Sequence, residues 1–178
     1  MKKFLWILSC FVFFACKNST DFENSNYKII DCPQDISERA FAFAEIYKNS
    51  DTEYELGGQD PCRTIKLDCS GLVIMCYKYA LVDTNYTLLM PDMTANYMYK
   101  NAATLTDNPQ RGNLIFMINE KNGDVEHIAI FDHKDPDGTI HFIDSSTKGD
   151  GVSKRSYSPD DTENYWKFKA FGIMRLKK

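Results

Sequence analysis

The apolar pattern of this chain changes period once, at Gly112. Before that point apolar residues recur at helical intervals. Residues 37–49 alternate Ala, Phe and Ile with polar side chains, with Asp35 or Ser37 as the cap and Asn49-Ser50-Asp51 as the stop. In a second predicted helix, over residues 69–80, Cys69, Leu72, Val73, Cys76, Tyr77 and Ala80 fall on one face. Between them, residues 54–61 read as a loop with a Gly57-Gly58 pair and a proline stop, and Pro91-Asp92 opens a shorter helix through Met98. After Gly112, short apolar runs predict strands at 114–118, 127–131, 139–143 and 166–174. Asp135-Pro136-Asp137-Gly138 joins the middle two as a hairpin, with proline and glycine where a turn requires them. Helices first and an antiparallel sheet afterwards make an α+β plan. At 178 residues the chain is expected to form one compact unit, a monomer.

The first fifteen residues do not belong to that unit. Lys2 and Lys3 precede an unbroken apolar-to-small run over residues 4–15, which reads as a signal peptide and is too short to span a bilayer as a helix. Phe13-Phe14-Ala15-Cys16 resembles a bacterial lipobox, in which cleavage leaves the cysteine as an acylated N-terminus. The expected organisation is therefore a lipoprotein signal over residues 1–15, a polar flexible tether over 16–27 and a folded domain over 28–178. The protein is expected to be exported and anchored to a bacterial membrane through lipid on Cys16. A tether of about ten residues would reach roughly 30 Å from that membrane at about 3.3 Å per residue. The formal charge of the whole chain is −4, and loss of the two lysines makes the mature chain more acidic. That balance argues against a nucleic-acid partner held by phosphate neutralisation.

Four cysteines remain for the domain: Cys32, Cys62, Cys69 and Cys76. Cys32 and Cys62 each neighbour a proline in a loop. An exported compartment permits a bridge between them, worth roughly 3.6 kcal/mol on the chain-entropy model, or leaves two unpaired thiols. No cysteine pair has the spacing of a zinc knuckle, and no histidine pair lies four apart on a helix. His133, Asp135, Asp137 and Gly138 echo a calcium loop, but a histidine replaces the leading carboxylate and Pro136 stiffens the middle. A tight turn is expected there, with no metal and no cofactor.

Chemistry concentrates at the start of the second helix. Asp68-Cys69-Ser70-Gly71-Leu72 places a cysteine in the first turn with Asp68 as its cap. Unsatisfied backbone amides and the positive end of the helix dipole favour thiolate over thiol there, and the same amides can hold a developing oxyanion. Cys76, in mid-helix, reads instead as a buried structural thiol. His127 opens an apolar strand directly after the polar stretch 119–126 and is placed to serve Cys69 as general base. That stretch reads as a rim of the cleft or as a solvated loop.

These residues resemble a known family. Tyr54-x-Leu56-Gly57-Gly58, Asp68-Cys69-Ser70-Gly71-Leu72-Val73, Gly112-Asn113-Leu114-Ile115-Phe116 and His127-Ile128-Ala129-Ile130 are similar, in order and spacing, to the motifs of the NlpC-type cell-wall cysteine peptidases. Cysteine before histidine matches the non-permuted members. The resemblance implies a papain-like fold, with the nucleophile helix packed on an antiparallel sheet, and hydrolysis of amide bonds in peptidoglycan stem peptides. It implies Cys69 as nucleophile, His127 as general base and Tyr54 as a donor beside the thiolate. Leu56 stands where the family usually has Trp, Asn113 where it has Asp and Ala129 where it has Gly, changes that read as packing and substrate fit. Two other functions fit the same features: an inactive lipid-anchored module that binds wall peptides or a partner, and a Cys-His acyltransferase acting on lipid.

The third catalytic residue sets two arguments against each other. The resemblance implies Asp144, in Phe142-Ile143-Asp144-Ser145-Ser146, at the place of the family's polar orienting residue. Hairpin register favours His141. A three-residue loop over 136–138 opposes Asp135 to Thr139 and puts odd-numbered residues of both strands on one face, beside His127. One further bulge reverses that outcome. A carboxylate also suits the task of accepting from the imidazole, so Asp144 is the assignment and His141 the alternative.

Overall fold

The computed structural model describes residues 27–60, 64–119, 121–158, 160 and 165–178. The signal, Cys16, the tether up to residue 26 and Cys62 lie outside the described residues. Strand β1 (Ile29–Asp31) leads into helix α1 (Gln34–Lys48). The helix starts three residues earlier than its apolar pattern suggests. Pro33 occupies the N-cap position without a side-chain cap, Asp35 lies within the first turn, and Ser37 is buried. Neither Asp35 nor Ser37 is therefore the cap, because proline presets the backbone angle at a helix start. The Ser37 hydroxyl instead donates to Cys32 Sγ at 3.5 Å. Cys32 is a free, buried thiol, and burial above all pushes its pKa up to about 11. Of the two alternatives for Cys32, the structure has the unpaired thiol.

Strands β2 (Thr52–Tyr54), β3 (Gln59–Asp60) and β4 (Ile65–Leu67) form a small sheet in the order β2-β4-β3. Residues 54–60 are thus a strand end, a glycine turn and a short strand rather than plain loop, and the predicted stop at Pro61 lies outside the described residues. Strands of two or three residues carry no period to detect. Helix α2 (Cys69–Ala80) has the predicted bounds, and nine of its twelve residues are buried, so it is an interior helix. Strand β5 (Thr87–Leu88) follows. The helix expected from Pro91 forms only at α3 (Ala95–Tyr97), where Thr94 caps it by accepting from the Tyr97 amide, and it continues as a π-helical turn at Met98–Ala102.

Past Gly112 the four predicted strands form, and one further strand joins them that the apolar runs do not signal. After β6 (Ala103–Thr106) come β7 (Leu114–Asn119), β8 (Val125–Lys134), β9 (Ile140–Ser146), β10 (Gly151–Tyr157) and β11 (Trp166–Lys177). They pair antiparallel in the order β1-β11-β7-β8-β9-β10, with β5 and β6 also on β11. The larger core joins α1 and α2 to residues such as Leu114, Phe116, Ile128, Ile130 and Ile143. A smaller one gathers Ile115, Met117, Ala129, Phe131, Phe142 and Phe171. Gly112, at the change of period, has φ +90°, and a Cβ there would sit 2.1 Å from the Ser37 carbonyl oxygen. Its own carbonyl accepts from the buried Tyr77 hydroxyl at 2.8 Å. Only glycine lets the sheet begin this close to both helices.

One irregularity in the β8–β9 hairpin decides what faces His127. The Asp135 amide donates to Thr139 O at 2.9 Å and the Gly138 amide to Asp135 O at 3.0 Å, closing the expected three-residue loop. His133 then faces His141, but Phe131 faces Phe142, so Asp132 is an extra residue on β8. Alternation from the Phe131–Phe142 pair places Ala129 and His127 of β8 on one face with Asp144 of β9.

Candidate active site

Asp68 builds the end of the candidate site that carries Cys69. Its Oδ1 accepts from the Gly71 amide at 2.6 Å and the Ser70 hydroxyl at 2.9 Å, capping α2, while its Oδ2 accepts from the Gly57 amide at 2.9 Å. One carboxylate therefore joins the glycine turn to the helix start. Gly71 is required by that junction, since a Cβ would lie 2.1 Å from Gly58 O. Cys69, in the first turn, is buried, with Sγ 4.0 Å from the Glu126 carbonyl oxygen. In the stretch 119–126, residues 121–124 and 126 are exposed, Val125 is buried in the core, and the backbone at Glu126 borders the thiol. Tyr54, at the end of β2, keeps its phenol proton more firmly than usual. Partial burial is the main cause, followed by the charges of Cys69 and Asp68, which puts the phenol within electrostatic range of the thiol.

His127 is 4 % exposed, and its Nε2 donates to Asp144 Oδ2 at 2.7 Å. The other ring nitrogen is left for Cys69. Burial opposes the imidazolium, but hydrogen bonds to Asp144 and Cys69, with their charges, outweigh it and raise the His127 pKa to about 9. Asp144 is fully buried, and its Oδ2 also accepts from Arg155 Nη1 at 2.8 Å. The same Nη1 donates to Ser146 Oγ at 3.0 Å, and the Trp166 ring stacks on His127 at 5.4 Å between centroids. A thiol at a helix start and an imidazole clamped by a buried carboxylate together can attack a carbonyl and pass a proton to its leaving group.

The structure thus brings Tyr54, Cys69, His127 and Asp144 together, and it leaves His141 out. His141 Nε2 donates to Asp135 Oδ2 at 2.7 Å near the hairpin loop, and its ring stacks on His133. Arg155 and Trp166 are the members that the sequence pattern missed. Ser153-Lys154-Arg155-Ser156 is polar throughout and shows no strand signal, so only a search for a cation against a buried Asp144 would have found Arg155.

The family model described as the NlpC/P60 family matches residues 51–175. The chain belongs to the NlpC/P60 family. Its structure is similar to that of Ly7917, at a TM-score of 0.48 and 12 % identity, over 80 % of this chain and 61 % of that one. The crystal structure of Ly7917 with the hydrolyzing product of MDP gives a TM-score of 0.48 and 11 % identity, over 80 % and 62 %. The chain thus spans about three-fifths of the length of those neighbours. Comparison with curated proteins gives no match. Within the NlpC/P60 match, the three unusual residues have distinct settings. Asn113 is buried, and its Oδ1 accepts from the Gln110 amide at 2.8 Å, a task that an aspartate performs equally. Ala129 packs in the smaller core, and Leu56 stands exposed beside the glycine turn that approaches Cys69.

Proposed function

We propose that this protein is a cysteine peptidase of the cell envelope that hydrolyses amide bonds in peptidoglycan stem peptides. The observation that carries the reading is the 2.7 Å contact between His127 and the buried Asp144 carboxylate, opposite a cysteine at a capped helix start. A module that only binds has no use for a buried imidazolium clamped in this way. In the reaction Cys69 Sγ attacks the scissile carbonyl, and the oxyanion is held by the Tyr54 hydroxyl and backbone amides at the start of α2. The imidazolium of His127 gives its proton to the departing amine, leaving a thioester on Cys69. Water, its proton taken by His127, then attacks the thioester, releases the acid and restores the thiol–imidazole pair. Asp144 holds the ring in the tautomer that presents its other nitrogen to sulfur.

The compartment follows from the lipobox-like Ala15-Cys16, which supports an exported protein held in a bacterial membrane by acyl chains on Cys16. Incubating the purified protein with muropeptides and reading the products by mass spectrometry tests the activity. Stem peptides split with the gain of one water, in a reaction abolished by Cys69→Ala, are expected. Binding without cleavage would leave the wall-binding module, and acylated products would leave the transferase. Labelling cells with a fatty-acid probe tests the anchor, with incorporation lost in Cys16→Ser.

A further inference from the structure

Two of the chain's three histidines have no part in the site described above. His133 on β8 and His141 on β9 are direct cross-strand partners, eight residues apart in sequence, with rings stacked at 4.3 Å between centroids. Asp135, between them in the loop entry, reaches both: its Oδ2 lies 2.7 Å from His141 Nε2 and its Oδ1 3.5 Å from His133 Nε2. One ligand atom from each of the three residues lies within 4.8 Å of the others. On the far side of the His133 ring, Nδ1 lies 3.1 Å from Asp132 Oδ2, which Lys154 holds in turn at 2.5 Å.

We infer that His133, Asp135 and His141 form a binding site for a zinc-class divalent transition metal. Ligand atoms about 2.0–2.1 Å from a tetrahedral metal sit roughly 3.3 Å from one another, and the two observed separations bracket that value. Two imidazoles and one carboxylate suit zinc and its neighbours, whereas calcium and magnesium take oxygen ligands. Asp132 supplies the outer carboxylate that fixes a ligand histidine. Accepting from Nδ1–H leaves the Nε2 lone pair of His133 directed at Asp135. The side chains of His133 and Asp135 are about half exposed and that of His141 a quarter, which leaves an entry path and room for water as a fourth ligand. Binding replaces the His141–Asp135 proton by the metal and turns the stacked rings so that their lone pairs converge. Spacing along the chain conceals the site, because only the register of the hairpin opposes the two histidines. The metal would cross-link β8 and β9 on the loop side of Asp132, away from Cys69.

Zinc chloride titrated into the full chain, followed by imidazole NMR, tests the site independently of any peptidase activity. At one equivalent the His133 and His141 signals are expected to give way to a bound set while His127 stays in place. Magnesium and calcium are expected to leave all three unmoved. Asp132→Asn should weaken binding about 10–100-fold, and Asp135→Asn or His141→Ala more than that. Metal-free melting curves identify any variant that fails to fold, and the half-exposed Asp135→Asn serves where His141→Ala does. Saturation only at millimolar zinc, binding that survives both ligand substitutions, or zinc held by Cys69 and His127 instead would overturn the assignment.

Discussion

Replacing Asp144 by asparagine keeps the volume of the side chain and removes its charge. Asp144 Oδ2 accepts from both His127 and Arg155, at 2.7 and 2.8 Å, and Oδ1 has no partner among the described residues. An asparagine that keeps its oxygen toward His127 therefore points its NH2 at a place without an acceptor, at a cost of about 1–3 kcal/mol. Arg155, whose side chain is 19 % exposed, loses its buried counter-charge as well. Breaking a buried pair costs about 3–5 kcal/mol, and the residual exposure of Arg155 puts the expected loss near the lower bound. On the catalytic side, an anion this close raises an imidazole pKa by about 1–3 units, so the variant's His127 should titrate well below about 9. Turnover should fall by about two to four orders of magnitude, because the imidazolium that protonates the amine is no longer stabilised or oriented. Three measurements bear on this: kcat and kcat/KM on a stem peptide, an imidazole NMR titration and urea unfolding. His141→Ala, remote from the thiol, should change turnover only mildly. An Asp144→Asn enzyme within tenfold of wild type, with His127 titrating unchanged, would refute the reasoning, and collapse of His141→Ala alongside it would move the role to His141.

Cys69→Ala should abolish turnover, leave the fold intact and lower the His127 pKa, since hydrogen bonding and charge from Cys69 both raise it; an unshifted NMR titration would separate the two side chains. His127 is raised in the folded state from 6.5 to about 9, so its contribution to stability is complete below about pH 6.5 and is lost as pH rises through about 9. Urea unfolding across that window should show a fall of up to roughly 3 kcal/mol that is absent in His127→Ala. Gly71→Ala should destabilise by about 1–3 kcal/mol, because its Cβ would meet Gly58 O at 2.1 Å, and should cut turnover by displacing the glycine turn from the nucleophile.

The parts of this protein legible in its sequence are those set by local physics. Helix α2 is bounded by its own cap and lined with apolar residues, so Cys69, Asp68 and the helix direction could be read together. The sheet strands announced themselves by apolar runs, and the Pro-Asp-Gly loop by its turn chemistry. Helix α1 was misread at its start because a proline N-cap offers no side-chain oxygen to look for. Strand β10 was missed because its inner residue at the site is Arg155, a cation that satisfies a buried aspartate on the neighbouring strand β9. A polar strand that earns its place by pairing with Asp144 leaves no apolar signature.

The choice between Asp144 and His141 lay beyond local reading for a different reason. Both the three-residue loop and the alternation that follows from it are present, and they do oppose His133 to His141. Were the ladder regular from that pair inward, Phe131 would face Ile143, Ala129 would face Ser145, and Asp144 would turn to the opposite face from His127. The single extra residue at Asp132 changes the phase, and nothing in Phe131-Asp132-His133 distinguishes a bulge from a regular strand. Its effect is to give the hairpin two registers. Inside the bulge, the sheet delivers Asp144 to His127; outside it, Asp135 stands between His133 and His141. The imidazole that faces Cys69 thereby has a carboxylate of its own, and it is kept apart from the two that share Asp135 and whose geometry suits a metal.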